Sequence, residues 1–432
     1  MRLKAVSWER PSAVPAMPLA RGHRLLGAGY TYELDRVSAL RRWAEELGDV
    51  YRFGPESVVV NDPDLVQDVL AATGRDFHAA TPLIEDRGDA EENRLLWMRG
   101  RRQGGRGMHP DVINGCGRKL DDGLKRALRR IAGRRLDLVE ACERVTGHVV
   151  TDLCLGPDAP DFYEELAGAS TDILAVSRTL NTPLWQTKRR FRRAAAAEEQ
   201  LKDKLWRLVE ARRARGGPYT HDDMLDVLLS RQRPLPGEVI AALLRITLIG
   251  GHGTPGAALA WIVTVLCRRP DLAARVCDEE PQWRAQAASG GVRLPPYTVA
   301  VVKEILRMYP PTWLLARSTP RDVELGAWTL KAGSKIVFSP LLIQRDPRWW
   351  SAPNEIKPER WLEDAVPPRR GAYLPFGGGP RVCPGARLGV AVLAVAALRI
   401  LSDYRMTVTG SAEPSPDVLY VPRDSQLLIE PV

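Results

Sequence analysis

No Cys-x-x-Cys pair occurs in the 432 residues, and the six cysteines, Cys116, Cys142, Cys154, Cys267, Cys277 and Cys383, are widely scattered. Zinc ribbons and iron–sulfur clusters built by this chain alone are thereby excluded. With no disulfide framework, a reducing cytoplasm is the expected setting. Long apolar runs are missing too. The longest, Leu388 to Leu398, is far too short to span a bilayer, and Met1 to Leu19 carries charges and three prolines where a signal peptide or anchor needs an apolar segment. A soluble chain without a membrane anchor is expected. Nor are there Gly/Ser-rich linkers, internal repeats or low-complexity tracts to divide the chain. Residues 115 to 230, helical in periodicity and rich in Arg and Ala, hold no Gly-rich phosphate loop, no His-Glu-x-x-His and no Ser-centred elbow.

Positive charge, by contrast, is in surplus. The formal net charge is +9, and cations cluster at Arg99–Arg106, Lys125–Arg135 and Lys188–Arg193. Most such residues are ordinary solvated helix faces. A nucleic-acid binder shows the same surplus, but neither zinc-finger spacing nor an aromatic RNA-binding signature accompanies it here, so no nucleic-acid partner is expected. A basic face that docks an acidic protein fits the pattern as well.

One cysteine stands apart. The chain reads Leu374-Pro375-Phe376-Gly377-Gly378-Gly379-Pro380-Arg381-Val382-Cys383-Pro384-Gly385 and then enters an apolar helix from Ala386 to Leu401. A cysteine between a glycine-rich loop and a helix N-terminus is set to be a thiolate, because the dipole and the first-turn amides stabilise the anion. Pro384 suits a first helical position, where a missing N–H costs nothing. The glycines let backbone lie flat against a large planar ligand, and Arg381 can pair with a carboxylate on it. A lone loop cysteine is more often a small buried core residue. That reading requires Phe, three Gly, Arg, Cys and Gly to fall in register by chance.

These residues resemble the haem-binding signature of the cytochrome P450 family, Phe-x-x-Gly-x-Arg-x-Cys-x-Gly, with Phe376, Gly379, Arg381, Cys383 and Gly385 on its five fixed positions. The resemblance implies that Cys383 is the axial iron ligand, pushing electron density through iron to favour O–O cleavage. It implies that Phe376 shields the sulfur and that Arg381 binds a haem propionate. Trp97 and Arg101 match the family's Trp-x-x-x-Arg, which grips a propionate from one helix face. Glu304 and Arg307 match its Glu-x-x-Arg. Pro310-Pro311, Arg317 and Pro358-Glu359-Arg360-Trp361 then follow in the family's order. In that order Arg317 is a propionate ligand, and Arg360 joins Glu304 and Arg307 in a structural ion network that locks the loop before Cys383. Trp361 stands where the family usually has Phe, in an apolar role. By the same resemblance, residues from about 169 to 191 supply a mobile cover over the substrate pocket.

The central helix carries a competing pattern. Gly251-His252-Gly253-Thr254-Pro255-Gly256 spells the dinucleotide fingerprint, with Asp271 twenty residues on. The context refuses it: Val239, Ile240, Leu243, Leu244 and Leu248 recur at helical spacing where the fingerprint needs a strand, and Arg268-Arg269-Pro270 before Asp271 is a helix start. As the family's oxygen-binding helix, Gly250, Gly251, His252, Gly253 and Thr254 stand against Ala/Gly-Gly-x-Asp/Glu-Thr. The threonine is kept and the acid is missing. In the family that acid and alcohol relay protons during oxygen activation, so Thr254, His252, the backbone of Gly251 and the gap at Gly253 are the catalytic candidates. Pro255 cannot donate to the Gly251 carbonyl, and four glycines with a proline predict a widened helix. A back-bond from Thr254 to the Gly250 carbonyl is the ordinary setting of a helix threonine and is compatible with its role.

The resemblance runs from about residue 45 to the end. The expected fold is mainly α with a minor β region, one domain over residues 1–432, with residues 1–40 as a proline-containing lead-in. It encloses haem b (iron protoporphyrin IX) between the central helix and the Cys383 loop. The implied activity is monooxygenation with O2 as co-substrate and electrons from NAD(P)H through ferredoxin and ferredoxin reductase, the donor being acidic and docking on a basic face. Oxidative coupling or ring formation without oxygen insertion, and a haem-thiolate sensor without turnover, remain as alternatives. Ile246, Ile249, Gly250, Trp313, Leu314 and Leu315 are the expected pocket lining, apolar or backbone, which suits a small hydrophobic substrate such as a terpenoid. Core packing explains the same residues equally well.

Overall fold

The computed structural model describes residues 16–24, 27–54, 56–79, 117–159, 162–175, 184–219, 223–230, 235–289, 293–363 and 365–432. In chain order the helices of six residues or more are α1 (Gly27–Leu34), α2 (Arg36–Leu47), α3 (Pro63–Ala71), α4 (Gly117–Ile131), α5 (Leu138–Leu155), α6 (Phe162–Ala175), α7 (Leu184–Arg215), α8 (Met224–Leu229), α9 (Gly237–Arg268), α10 (Pro270–Cys277), α11 (Glu280–Ser289), α12 (Pro296–Met308) and α13 (Ala386–Asp403). The strands are β1 (Val50–Arg52), β2 (Ser57–Val60), β3 (His78–Ala79), β4 (Leu136–Asp137), β5 (Leu315–Ser318), β6 (Val323–Leu325), β7 (Trp328–Leu330), β8 (Lys335–Phe338), β9 (Tyr404–Pro416) and β10 (Tyr420–Pro431).

Two compact units divide the chain. The first takes Met1–Ala80, Leu314–Leu342 and Gly379–Arg381. Its sheet has the order β1-β2-β8-β5-β3. Strands β1 and β2 pair antiparallel, Val50 against Val60, and β2 runs parallel to β8. The strand, strand, helix opening expected from residues 48–71 is there, with the strands shorter at their ends. Helix α3 starts where its chemistry says it should: the Asp62 carboxylate accepts from the amides of Asp64 and Leu65 at 3.0 and 2.9 Å, and Pro63 needs no partner for an N–H it lacks.

The second unit takes Thr81–Trp313, Ile343–Gly378 and Val382–Val432. Its axis is α9, whose residues Gly256 to Leu266 are buried on every side, as befits a helix apolar all round in a core. By length and composition α9 alone among the described helices is long and apolar enough to cross a membrane, and 61% of that apolar window is buried inside the protein. Leu155 of α5, Leu166 of α6, Leu205 and Val209 of α7, Leu225 and Leu228 of α8, and Ile240, Leu244 and Leu248 of α9 form one continuous core. The glycines of α9 have a reason that the sequence does not show. A Cβ on Gly251 would lie 2.6 Å from Val150 Cγ1, and one on Gly256 would lie 2.5 Å from Glu143 Cγ. Both glycines therefore let α9 and α5 touch, and the helix runs from Gly237 to Arg268 with Pro255 inside it.

Strands β9 and β10 form a long antiparallel hairpin, extended by β4 in the order β4-β10-β9. The Trp261 indole donates to the Tyr420 carbonyl at 2.9 Å and stacks on Tyr309, with ring centroids 4.0 Å apart. That contact fixes the hairpin against the central helix. Helix α4 is bound to α13 by a buried charge cluster: the Arg399 guanidinium reaches Asp121 and, at 3.0 Å, Glu280 of α11.

Candidate haem-thiolate site

Helix α13 begins at Ala386 with Gly385 at its cap and no side-chain capping bond, so its first-turn amides and the positive end of its dipole face the preceding loop. Pro384 precedes the cap and is not the first helical residue. Cys383 is exposed. Its N–H donates to the Phe376 carbonyl at 2.9 Å, which closes the loop, and its own carbonyl accepts from the Ala386 amide at 3.4 Å. The Phe376 ring lies beside the first turn of α13, where a Cβ on Gly389 would be 3.8 Å from Phe376 Cε1. Gly377 and Gly379 have φ of 67° and 64°, the left-handed region that disfavours other residues. Gly379 is doubly constrained, since a Cβ there would sit 2.0 Å from the Leu70 carbonyl oxygen of α3. The structure thus presents an accessible sulfur at a helix start on a loop with no bulk, which is the donor chemistry that an iron porphyrin takes from a thiolate.

Behind that loop Glu304, Arg307 and Arg360 come together. Glu304 and Arg307 are both fully buried, one turn apart on α12, and pair through two bonds of 2.9 and 2.8 Å. Arg360 Nε donates to Glu304 Oε1 at 3.3 Å, and the Lys357 amide reaches the same oxygen at 2.9 Å. Arg307 in turn donates to the carbonyls of Gln344, Pro353 and Glu355 at 2.8, 2.8 and 3.0 Å. Two members escaped the sequence reading. The Trp361 indole is no apolar stand-in for Phe, because its N–H donates to Glu304 Oε2 at 3.0 Å. Gln344, singled out by no motif, donates to the carbonyls of Leu306 and Arg307 and accepts from the Leu374 amide at 2.7 Å. Leu374 opens the Cys383 loop, so Gln344 ties that loop directly to α12.

The remaining candidates fall in several places. Trp97 and Arg101 lie outside the described residues. Arg317 is buried in β5, where its Nε donates to Thr73 Oγ1 at 3.1 Å and its Nη1 to the Ala316 carbonyl at 2.7 Å. Leu315 opens the same strand and Leu314 precedes it, both half-buried, and Arg381 is half-buried in a single 3₁₀ turn. Trp313 is a core residue: it is 2% exposed, with its indole donating to the Asp417 carbonyl at 3.0 Å.

On α9 the candidates divide between two faces. Ile246, Gly250 and Thr254 repeat every four residues and share one side, with Ile249 next to them. Gly250 is exposed, and a Cβ there would meet nothing within 4 Å, so this side fronts open space. The expected back-bond of Thr254 is not made. Thr247 and Thr264 donate to the carbonyls four residues before them at 2.8 and 2.7 Å, whereas no such bond is formed by Thr254. Its hydroxyl remains available on the open side.

His252 points the other way. It is 5% exposed, it lies near Gly147 of α5, and its ring centroid is 5.6 Å from that of Tyr163 on α6. Neither ring nitrogen has a hydrogen-bond partner, and Thr146 donates to the His252 carbonyl at 3.3 Å. His252 is therefore not brought to the side that carries Thr254. Burial pushes the imidazole down to about 4. The unfolded chain takes up that proton near the ordinary value of 6.5, so the stability from keeping His252 neutral is complete above pH 6.5 and is lost as pH falls toward 4, by about 3 kcal/mol in all. Glu143 on α5, raised by burial and by Asp137 and Glu140 to about 7, changes stability in the opposite sense over an overlapping range. Unfolding midpoints of His252→Gln and the parent should thus converge as pH is lowered from 6.5 to 4; parallel curves would show that the imidazole does not titrate on unfolding.

A profile of the cytochrome P450 family matches residues 17–427. The cyclooctat-9-en-7-ol 5-monooxygenase of Streptomyces melanosporofaciens is 32% identical over 305 residues, 67% of this chain and 62% of that protein. The cyclooctatin synthase of the same organism is 29% identical over 426 residues, 92% of this chain and 90% of the relative. Among solved structures, retinoic acid bound cyanobacterial CYP120A1 superposes with a TM-score of 0.79 at 20% identity, covering 98% of this chain and 100% of the other, a likeness of fold. The cytochrome P450DA heme domain gives 0.75 at 18% identity over 96% and 98% of the two chains. A family match over nearly the whole length, together with a cysteine loop whose geometry suits a porphyrin iron, leaves one conclusion: the chain belongs to the cytochrome P450 family, with haem b as cofactor and O2 as co-substrate.

Proposed function

We propose that the protein is a haem-thiolate monooxygenase acting on a hydrophobic, terpenoid-like small molecule. The observation that carries this reading is the open side of α9, where Gly250 clears space and Thr254 offers an unengaged hydroxyl beside the apolar Ile246 and Ile249. The two Streptomyces relatives, named for cyclooctat-9-en-7-ol and cyclooctatin, favour the terpenoid class. Haem held by Cys383 supplies oxygen activation. The chain's own contribution is to hold the substrate against an apolar wall, to shield the sulfur with Phe376, and to keep a proton at Thr254 Oγ1. We assign propionate binding to Arg317 and Arg381, with Arg101 and Trp97 as further partners.

Electrons come from NAD(P)H through a ferredoxin and its reductase. The docking face we assign is α4, whose Arg118, Lys119, Arg126, Arg129 and Arg130 are exposed and which is joined through Asp121 to Arg399 of α13, the helix that follows the Cys383 loop.

Gly253 brings no carboxylate to the position the family fills with Asp or Glu. A general acid–base group contributes about 10²–10⁴-fold, so its lack should appear as peroxide released per NADPH consumed on poorly fitting substrates. Gly253→Asp in the haem-loaded enzyme should lower that leakage on surrogates and help the native substrate less. Leakage unchanged for every substrate would assign the gap to ligand space. The same missing acid favours a second reading, ring closure or coupling without oxygen insertion. Turnover under isotopically heavy dioxygen decides between them: label in the product supports the monooxygenase, and an oxidised product without label supports coupling.

A further inference from the structure

Gln344 makes one bond more than capping a helix requires. The side chain is fully buried, and it meets the end of α12, whose last carbonyls have no partner within the helix. Its Nε2 donates to the Leu306 and Arg307 carbonyls at 3.1 and 2.9 Å, and Arg345 Nε donates to the Met308 carbonyl at 2.9 Å. Those donors complete the cap. The remaining atom, Gln344 Oε1, faces away from α12 chemistry and accepts from the Leu374 amide at 2.7 Å.

From Leu374 the path to Cys383 is short. Leu374-Pro375-Phe376-Gly377 is a β-turn closed by the Gly377 amide, which donates to the Leu374 carbonyl at 3.1 Å. Pro375 takes the second position of that turn, whose φ a proline presets. Both backbone groups of Leu374 are thus held, the amide by Gln344 and the carbonyl by the turn. The Phe376 carbonyl leaves the same turn and accepts the Cys383 N–H at 2.9 Å. Tyr373, just before it, is tied to α12 by its side chain, the hydroxyl donating to the Lys303 carbonyl at 3.1 Å. Gln344 holds the backbone of the turn itself. We propose, on the reading of Cys383 as the iron ligand, that Gln344 is a positioning residue that sets the reduction potential of the haem iron through the Leu374 turn. Groups that orient a metal's ligand tune the metal's affinity and potential. A sulfur held less firmly gives the iron less electron density. The ferric state depends on that density more than the ferrous, so reduction becomes easier.

The test is a redox titration of the haem-loaded protein, comparing the parent with Gln344→Met and Trp361→Phe. Methionine is close to glutamine in size and removes the bonds of the amide. In Gln344→Met the one-electron equilibrium should shift toward the ferrous state by about tenfold, which is about 59 mV. Haem affinity should fall by about 10–100-fold. Trp361→Phe is the control for a merely structural role. It removes a bond to Glu304 and none to the loop, and it keeps a ring against Tyr373. Its urea midpoint should fall while its potential stays with the parent's. Hydrogen exchange in the unsubstituted protein gives a readout that needs no variant to fold: the amides of Leu374, Gly377 and Cys383 should exchange slowly and at one common rate. An unmoved potential in Gln344→Met, an equal shift in Trp361→Phe, or a Leu374 amide that exchanges freely while Cys383 stays protected overturns the proposal. A parent without the red-shifted Soret band under carbon monoxide overturns the ligand reading first and the proposal with it, so the two failures are told apart.

Discussion

Glu304→Ala is expected to give almost no folded, haem-loaded protein. The carboxylate is fully buried and accepts five bonds, from Arg307 Nε and Nη2, the Lys357 amide, Arg360 Nε and the Trp361 indole. Its loss strands a buried guanidinium and leaves three further donors, the Lys357 amide, Arg360 Nε and the Trp361 indole, without this acceptor. Breaking a buried pair in this way costs about 3–5 kcal/mol, a large share of the roughly 5–15 kcal/mol that holds most domains together. Arg307→Ala should fail similarly, since it abandons three backbone carbonyls as well as the acid. Trp361→Phe removes one donor to a charged acceptor, about 1.5–3 kcal/mol, and should fold with a lowered urea midpoint. Holoprotein yield and that midpoint are the measurements. A haem-loaded Glu304→Ala with the parent's midpoint would reduce the whole cluster to a surface ion pair.

The same cluster shows where the sequence was legible. Glu304 and Arg307 could be read because a one-turn spacing puts two charges on one face whatever surrounds them. Arg360 needed the order of motifs along the chain. Gln344 could not be read at all: its importance lies in bonds to the backbone of Leu306, Arg307 and Leu374, and a side chain that serves backbone leaves no partner type in the sequence. Trp361 misled because its ring suggested apolar packing while its N–H made the contact that counts.

Glycines behaved similarly. Those before Cys383 were legible as a loop that keeps bulk away from a ligand, yet the backbone of α3 against Gly379 is a tertiary demand that no spacing encodes. On α9 the glycines suggested a loosened helix, whereas Gly251 and Gly256 answer to the closeness of α5. His252 looked catalytic because it stands two residues before Thr254, but two residues is about 200° around a helix, and that turn carries its ring toward Tyr163. Local chemistry and helical periodicity were thus visible early, while side-chain-to-backbone ties and helix-to-helix approach waited for the fold.

The haem-thiolate reading depends on Cys383 as the iron ligand. The most direct test is the absorption spectrum of the purified, reduced protein under carbon monoxide, recorded for the parent and for Cys383→Ser. A Cys383 thiolate just before α13 predicts the red-shifted Soret band in the parent, because an anionic sulfur holding the haem iron would donate electron density to it. Serine keeps the size and the loop but not the soft anionic donor, so the band should be absent from the variant even where haem is retained. A red-shifted band that persists in Cys383→Ser would place the iron on another residue and contradict the account.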